Sequence, residues 1–276
     1  MTTLITGATG SIGRLLVDDL LARGVAVRAL SRDPAGAALP GGVTVFAGGL
    51  ANAPADVFDG VEAVFVFPAD DGADAFVERA LSVGVQRFVV LSSLAVSGRN
   101  ARDADSASGR HHRAIEEAVT SRTDRHTILR PGNLATNLLF WSFAIRSGQP
   151  VRIPYPESSQ VLLHEADVAA AAAVALTASD PTERILELTG PTSLTKLEQL
   201  AAISSAIDRE APYVEISAEE FRGDMAPYLS GDLIEMLLRY WSETIEEPET
   251  PLPSPLGAPG RSLTQWAIDH RAAFSS

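Results

Sequence analysis

The chain contains no cysteine, which excludes disulfides, thiolate metal sites and a cysteine nucleophile. Lysine is almost as scarce, since Lys196 is the single lysine among 22 basic residues. Those 22 face 35 acidic residues, giving a formal net charge of −13. Such a surface repels phosphate backbones and anionic lipid heads, so neither nucleic acid nor membrane is an expected partner. Long hydrophobic runs are missing as well: the longest, Val168–Leu176, falls well short of the ~20 residues that cross a bilayer. No basic segment leads into an apolar stretch near the N-terminus, so the expected location is the cytoplasm.

What is present reads as an α/β protein. A chain of 276 residues suits one large domain with a smaller appended part. Short β-rich runs at Thr3–Thr6, Val25–Leu30, Val43–Phe46, Ala63–Phe67, Arg87–Leu91, His126–Leu129 and Ile185–Leu188 alternate with helical stretches. Apolar runs of that length suit strands covered on both faces, and the alternation predicts a doubly wound parallel sheet of Rossmann type. Between the first two runs, Ile12, Leu15, Leu16, Leu20 and Leu21 recur at helical spacing, and Gly24 supplies a stop. Helices are also expected over Asn133–Ser147, Glu165–Ala178 and Leu233–Ile245, and over Lys196–Ile207 behind a Thr195/Glu198 capping box. Ser262 and Gln265 cap a last helix ending near Phe274, and five prolines make Pro248–Pro259 an extended connector. Residues 1–132, continued by 161–190, form the expected nucleotide-binding core. Residues 133–160 and 191–276 form a mostly helical substrate-binding lid over the strand ends.

Thr6-Gly7-Ala8-Thr9-Gly10-Ser11-Ile12-Gly13 follows the first strand directly and opens the first helix. In that context Gly7 allows a tight turn, Gly10 lets backbone approach a pyrophosphate, and Gly13 lets helix pack closely on strand. Amides at the start of the helix then offer free N–H groups and partial positive charge to the anion, with Thr9, Ser11 and Ile12 in contact. Ser31-Arg32-Asp33 ends the second strand. A guanidinium there makes bidentate bonds to the 2′-phosphate of NADP, whereas an acidic residue would take the ribose hydroxyls of NAD. Arg32 comes first and Asp33, before Pro34, reads as a turn former, so NADP(H) is favoured and NAD is the alternative.

These residues resemble the NmrA-like branch of the atypical short-chain dehydrogenases/reductases. The resemblance is carried by Gly7–Arg14, Phe65-Val66-Phe67-Pro68, Leu91-Ser92-Ser93, Ile115-Glu116, Thr127–Asn133, His164–Ala169 and Leu188–Pro191, in family order, and the closing Trp266–His270 adds to it. It implies a Rossmann-type domain, a small C-terminal substrate part and NADP(H), with Phe67, Pro68, Ser92, Pro131 and Asn133 added to the cofactor-binding set. Members include quinone and azo-dye reductases, natural-product ketoreductases and regulators that bind the cofactor without turning it over. Where the family often has Gly-Asp-Leu after the third strand, this chain has Gly48-Gly49-Leu50.

In better-known relatives a tyrosine donates a proton as hydride arrives at carbon, and a lysine four residues later assists. Aligning Glu116 with the usual glutamate puts Ser108 at the tyrosine position and His112 at the lysine position; a shift of one gives Gly109 and Arg113. None of the four tyrosines has a lysine four residues on. The catalytic candidates are therefore Ser93, for the carbonyl oxygen, and His112, for a proton or to hold the ribose, with Ser108 beside them. Hydride transfer is the cofactor's own chemistry, so an easily reduced substrate tolerates a missing acid. Phe140, Trp141 and Tyr155 are the expected substrate contacts, with Phe140 and Phe143 on one wall and Trp141 on another, suiting a planar aromatic small molecule. His164 and Asp167 are read as packing and capping residues, and no metal site is expected. The expectation is a cytoplasmic NADPH-dependent reductase of a carbonyl or quinone, of the kind found in aromatic antibiotic biosynthesis. A non-catalytic NADP(H) sensor is the alternative, with an epimerase or dehydratase third.

Overall fold

The computed structural model describes residues 1–69, 71–99, 103, 106–178 and 184–275. The chain divides into two compact units, one of residues 1–132 and 165–188, the other of 133–164 and 189–276. Residues 161–164 and Thr189–Gly190, expected with the core, thus belong to the second unit.

In the first unit β1 (Thr2–Thr6), β2 (Ala26–Ser31), β3 (Thr44–Ala47), β4 (Ala63–Val66), β5 (Arg87–Leu91), β6 (His126–Pro131) and β9 (Ile185–Leu188) form one sheet in the order β3-β2-β1-β4-β5-β6-β9. Every pairing in it is parallel. Parallel strands bring all their C-terminal ends to one edge. Thr6, Ser31, Val66, Leu91 and Pro131 therefore share that edge, and the order reverses between β1 and β4, where open α/β sheets bind ligands. Leu4, Val64, Phe88, Val90 and Ile128 fill the core with almost no exposure.

The flanking helices are α1 (Ser11–Ala22), α2 (Ala73–Ser82), α3 (Ala107–Thr120) and α5 (Glu165–Thr177). α1 buries Ile12, Leu16, Val17 and Leu20 and is released by Gly24 at φ +73°. α5 packs on α1 through small side chains: Ala169, Ala171, Ala172 and Ala173 are all buried, so the two backbones come close.

The second unit is looser in its secondary structure. A 3-10 segment (Ala135–Trp141) runs into α4 (Ser142–Arg146), where one continuous helix is the sequence expectation. Four three-residue strands follow: β7 (Val151–Ile153), β8 (Ser159–Val161), β10 (Ser193–Thr195) and β11 (Tyr213–Glu215). β8 pairs antiparallel with β10, and β7 pairs parallel with β11. The helices are α6 (Lys196–Ala206), α7 (Ala218–Met225), α8 (Gly231–Glu246), α9 (Leu263–Asp269) and α10 (Arg271–Phe274). The predicted Thr195/Glu198 capping box is formed. The single closing helix is broken at His270, whose ring stacks 4.5 Å from that of the fully buried Trp266.

Candidate functional site

Two features of the first unit shape its C-terminal edge. Gly7 turns the chain at φ +67°, and its amide neighbour Gly10 closes the turn by donating to the Gly7 carbonyl at 3.1 Å. Gly13 lies so close beneath that a Cβ there would meet the Gly7 oxygen at 2.1 Å. Thr9, Gly10 and Ser11 are exposed, and the first turn of α1 carries neither a side-chain cap nor an acidic residue. Its first-turn amides are thus left without a side-chain cap, as an anion-binding helix start requires. A cradle that side chains would fill, facing uncapped amides, fits a dinucleotide pyrophosphate.

Arg14 makes this turn rigid, which the sequence does not announce. Its guanidinium donates to the carbonyls of Thr9, Ala37 and Ala38, tying the glycine turn to the loop after β2. In that loop Arg32 is exposed and has no partner among the described residues, whereas Asp33 accepts from Gly36 N at 3.0 Å and closes a turn. A free cation with its acidic neighbour otherwise engaged fits a 2′-phosphate. Across the switch point Thr6 Oγ1 donates to the Phe65 carbonyl and accepts from Phe67 N. That pair holds the half-exposed Phe67 against the turn, so that a Cβ on Gly7 would strike its ring at 2.6 Å; Pro68 follows it.

The end of β5 separates the two serines. Ser92 is 2% exposed, and its hydroxyl donates to Glu116 Oε1 at 2.5 Å. The same carboxylate accepts from Arg130 Nε at 2.9 Å and Nη2 at 2.7 Å. The Ser92 hydroxyl is thus engaged in a network joining β5, α3 and β6. Ser93 is half-buried; its oxygen accepts from Ala95 N, which leaves its own proton free to donate.

On α3, Ser108, His112 and Glu116 recur every four residues on one face. Ser108 is exposed, and Glu116 is buried. His112 lies between, with Nδ1 buried and without a hydrogen-bond partner among the described residues. Burial, reinforced by His111 and opposed by Glu116, pushes its pKa down to about 4. A pKa lowered this far favours the neutral ring near pH 7. Between pH 6.5 and about 4 the unfolded chain takes up a proton that the folded ring refuses, so stability falls as pH falls through that window. If His112 has no acid role, kcat/KM between pH 6 and 8 should show no histidine inflection. His112→Gln should then lower kcat by less than about tenfold, below the usual general-acid effect, and stability-versus-pH curves should lose part of their acid-side slope.

The second unit forms a half-open cavity of about 890 Å3, large enough for a multi-ring ligand. Phe140 and Trp141, at the end of the 3-10 segment, and Phe143, in α4, all line it. Phe140 and Phe143 stay largely exposed. Asn133 also lines the cavity, and its Nδ2 donates to Tyr240 Oη at 2.8 Å; its side chain is thus engaged within the second unit. Tyr155, at φ +51°, packs on the cluster around Ile216 and Phe221 and is not among the cavity's lining residues. Lys196 is among them. It is 3% exposed, donates to the Pro154 carbonyl at 2.7 Å, and is pushed by burial to a pKa of about 6. His164 is buried and pairs with Asp269 at 3.2 Å. No cluster of three metal-ligating side chains occurs among the described residues, and no helix there is long and apolar enough to cross a membrane.

Residues 7–179 match a family described as NAD(P)H-binding. Over 286 residues the chain is 29% identical to the (4-alkanoyl-5-oxo-2,5-dihydrofuran-3-yl)methyl phosphate reductase of Streptomyces griseus subsp. griseus, with 99% of each chain covered. It is also 29% identical over 292 residues to an NAD(P)H azoreductase of Xenophilus azovorans, again over 99% of each. Its fold is similar to that of an NADPH-dependent quinone oxidoreductase of Escherichia coli, with a TM-score of 0.74, 20% identity, and coverage of 97% of this chain and 99% of that one.

Proposed function

We propose that this protein is an NADPH-dependent reductase, on the premise that the chain belongs to the NAD(P)H-binding family, in its NmrA-like, atypical short-chain dehydrogenase/reductase branch. The observation that carries the reductase step is likeness along the whole chain to two proteins that are named reductases. The acceptors in their names are a conjugated furanone and an azo compound, both electron-poor and planar. On our reading the substrate here is an activated carbonyl or quinone, and a cavity of about 890 Å3 suits one the size of an aromatic polyketide intermediate.

The roles follow from the placements above. Thr9 and the amides of Gly10, Ser11 and Ile12, over the glycines Gly7 and Gly13, hold the pyrophosphate, and Arg32 holds the 2′-phosphate. Ser31 shapes the loop that carries Arg32, its Oγ donating to the Asp33 carbonyl at 3.0 Å. Phe67 and Pro68 at the end of β4, and Pro131 at the end of β6, bound the cofactor's space. The bound nicotinamide supplies hydride. Ser93 donates its free hydroxyl proton to a carbonyl oxygen as charge develops there. The final proton comes from solvent or from a phenol on the substrate, because His112 is neutral and no tyrosine–lysine pair exists. Phe140, Trp141 and Phe143 hold the planar part of the substrate.

Arg32→Ala should weaken NADPH binding roughly 10–100-fold, the worth of a charge-assisted bidentate contact, and leave NADH binding unchanged by calorimetry. Anaerobic NADPH oxidation with a panel of quinones, azo dyes and hydroxylated aromatic ketones tests the reaction. Turnover with at least one is the expected result. The absent tyrosine–lysine pair favours a second reading, a sensor that binds the cofactor without consuming it; stoichiometric binding with no turnover across the panel would establish that instead.

A further inference from the structure

The cavity of the second unit is apolar along most of its wall, but three of its lining residues form a polar patch. Lys196 and Gln199 stand three apart on α6, on one helical face. The Lys196 amine sits 3.4 Å over the Trp241 ring, which comes from α8. Gln199 is fully buried; its Nε2 donates to the Leu194 carbonyl at 2.8 Å, yet its Oε1 has no partner among the described residues. The indole Nε1 of Trp241 is likewise buried and unpartnered. Arg152 and Asp224, the other charged residues on the wall, are paired with each other at 2.6 Å. No carboxylate pairs with Lys196 among the described residues.

A buried amine without a counter-ion, beside one orphan donor and one orphan acceptor, is costly unless a ligand completes it. We propose that this patch anchors an acidic oxygen of an aromatic substrate, a carboxylate or phenolate with a hydroxyl beside it. Lys196 and Trp241 donate to the anionic oxygen, and Gln199 Oε1 accepts from the hydroxyl. The anion restores the charged form of the amine that burial otherwise disfavours. This assignment rests on the cavity being the substrate site and names the substrate class it selects.

The probes are 3-hydroxy-2-naphthoate, its methyl ester and 2-naphthoate, titrated calorimetrically into the full chain saturated with NADP+. None of these needs to be reduced, so the outcome is independent of turnover. The hydroxy acid should bind roughly 10–100-fold more tightly than the ester. Lys196→Met should erase that preference by weakening the acid alone, and Gln199→Leu should weaken the hydroxy acid but not 2-naphthoate. A raised melting temperature of Lys196→Met at pH 7 would show that the variant folds and that the lone amine is a cost in the free protein. Equal binding of acid and ester to the unaltered chain, or equal losses of both on Lys196→Met, would overturn the anchor. If NADPH oxidation fails across the panel while the acid preference stands, the reductase reading fails and the anchor survives. If oxidation succeeds without the preference, the reverse holds.

Discussion

Replacing Gly13 by alanine is expected to lower the melting temperature by roughly 10 °C and to remove measurable NADPH binding. The added methyl would lie 2.1 Å from the Gly7 oxygen and 2.8 Å from Ala8 Cα. Both neighbours are backbone, and no rotamer change relieves them. Gly7 cannot retreat, since its amide-closed turn is backed by Phe67 and the following residues are clamped by Arg14. The helix must therefore move off the strand, at the upper end of the ~1–3 kcal/mol typical of overpacking; for a unit this size ~3 kcal/mol is about 10 °C. Moving the helix start displaces the amides that would meet the pyrophosphate, so affinity falls with stability. Gly223→Ala is the control. Gly223 lies inside α7 with open space around it, so its replacement should stabilise by ~0.5–1 kcal/mol and leave NADPH binding alone. Thermal melts and NADPH titrations of both variants check the pair.

Glu116→Ala is expected to cost about 3–5 kcal/mol, the range for leaving one member of a buried ion pair alone. The Glu116 carboxylate takes two hydrogen bonds from Arg130 and one from Ser92, with side chains only 9% and 15% exposed for Glu116 and Arg130. The guanidinium's bond to Glu116 raises its own pKa, so Arg130 stays charged and would be stranded. Because one acid joins β5, α3 and β6, its loss also frees the strand end that places Ser93. The double variant Glu116→Ala/Arg130→Met should lose less than the sum of the two single changes, since the second substitution removes the stranded charge. Urea unfolding of the three variants measures this; strict additivity would contradict the network.

The first unit was legible because its signals are local and repeated. β-rich runs at regular intervals located its strands to within a residue or two, and the glycine turn stood where strand met helix. The second unit was not, for reasons of length and path. Three-residue strands such as β7 and β11 carry no periodicity to detect. The stretch before α4 spells a helix but follows a 3-10 course, and Phe140, Trp141 and Phe143 line the same cavity. α7 was missed although Ser217 and Glu220 form a capping box at its start. Side-chain fates were harder still. Nothing in the residues Ser92-Ser93 says that one hydroxyl is consumed by Glu116 and the other is free. Likewise a lone lysine behind a helix cap gives no sign of lining a cavity, since that placement comes from its contacts with the Trp241 ring and the Pro154 carbonyl and not from its neighbours in sequence.

The central claim, that uncapped amides over Gly7 and Gly13 bind a dinucleotide with Arg32 reading its 2′-phosphate, is tested most directly by titrating the chain with NADPH and NADH while following its melting temperature. Saturable 1:1 binding is expected, tighter for NADPH, with a rise of roughly 5–10 °C at a hundredfold excess over Kd. No heat of binding and an unchanged melting temperature with both nucleotides would contradict it.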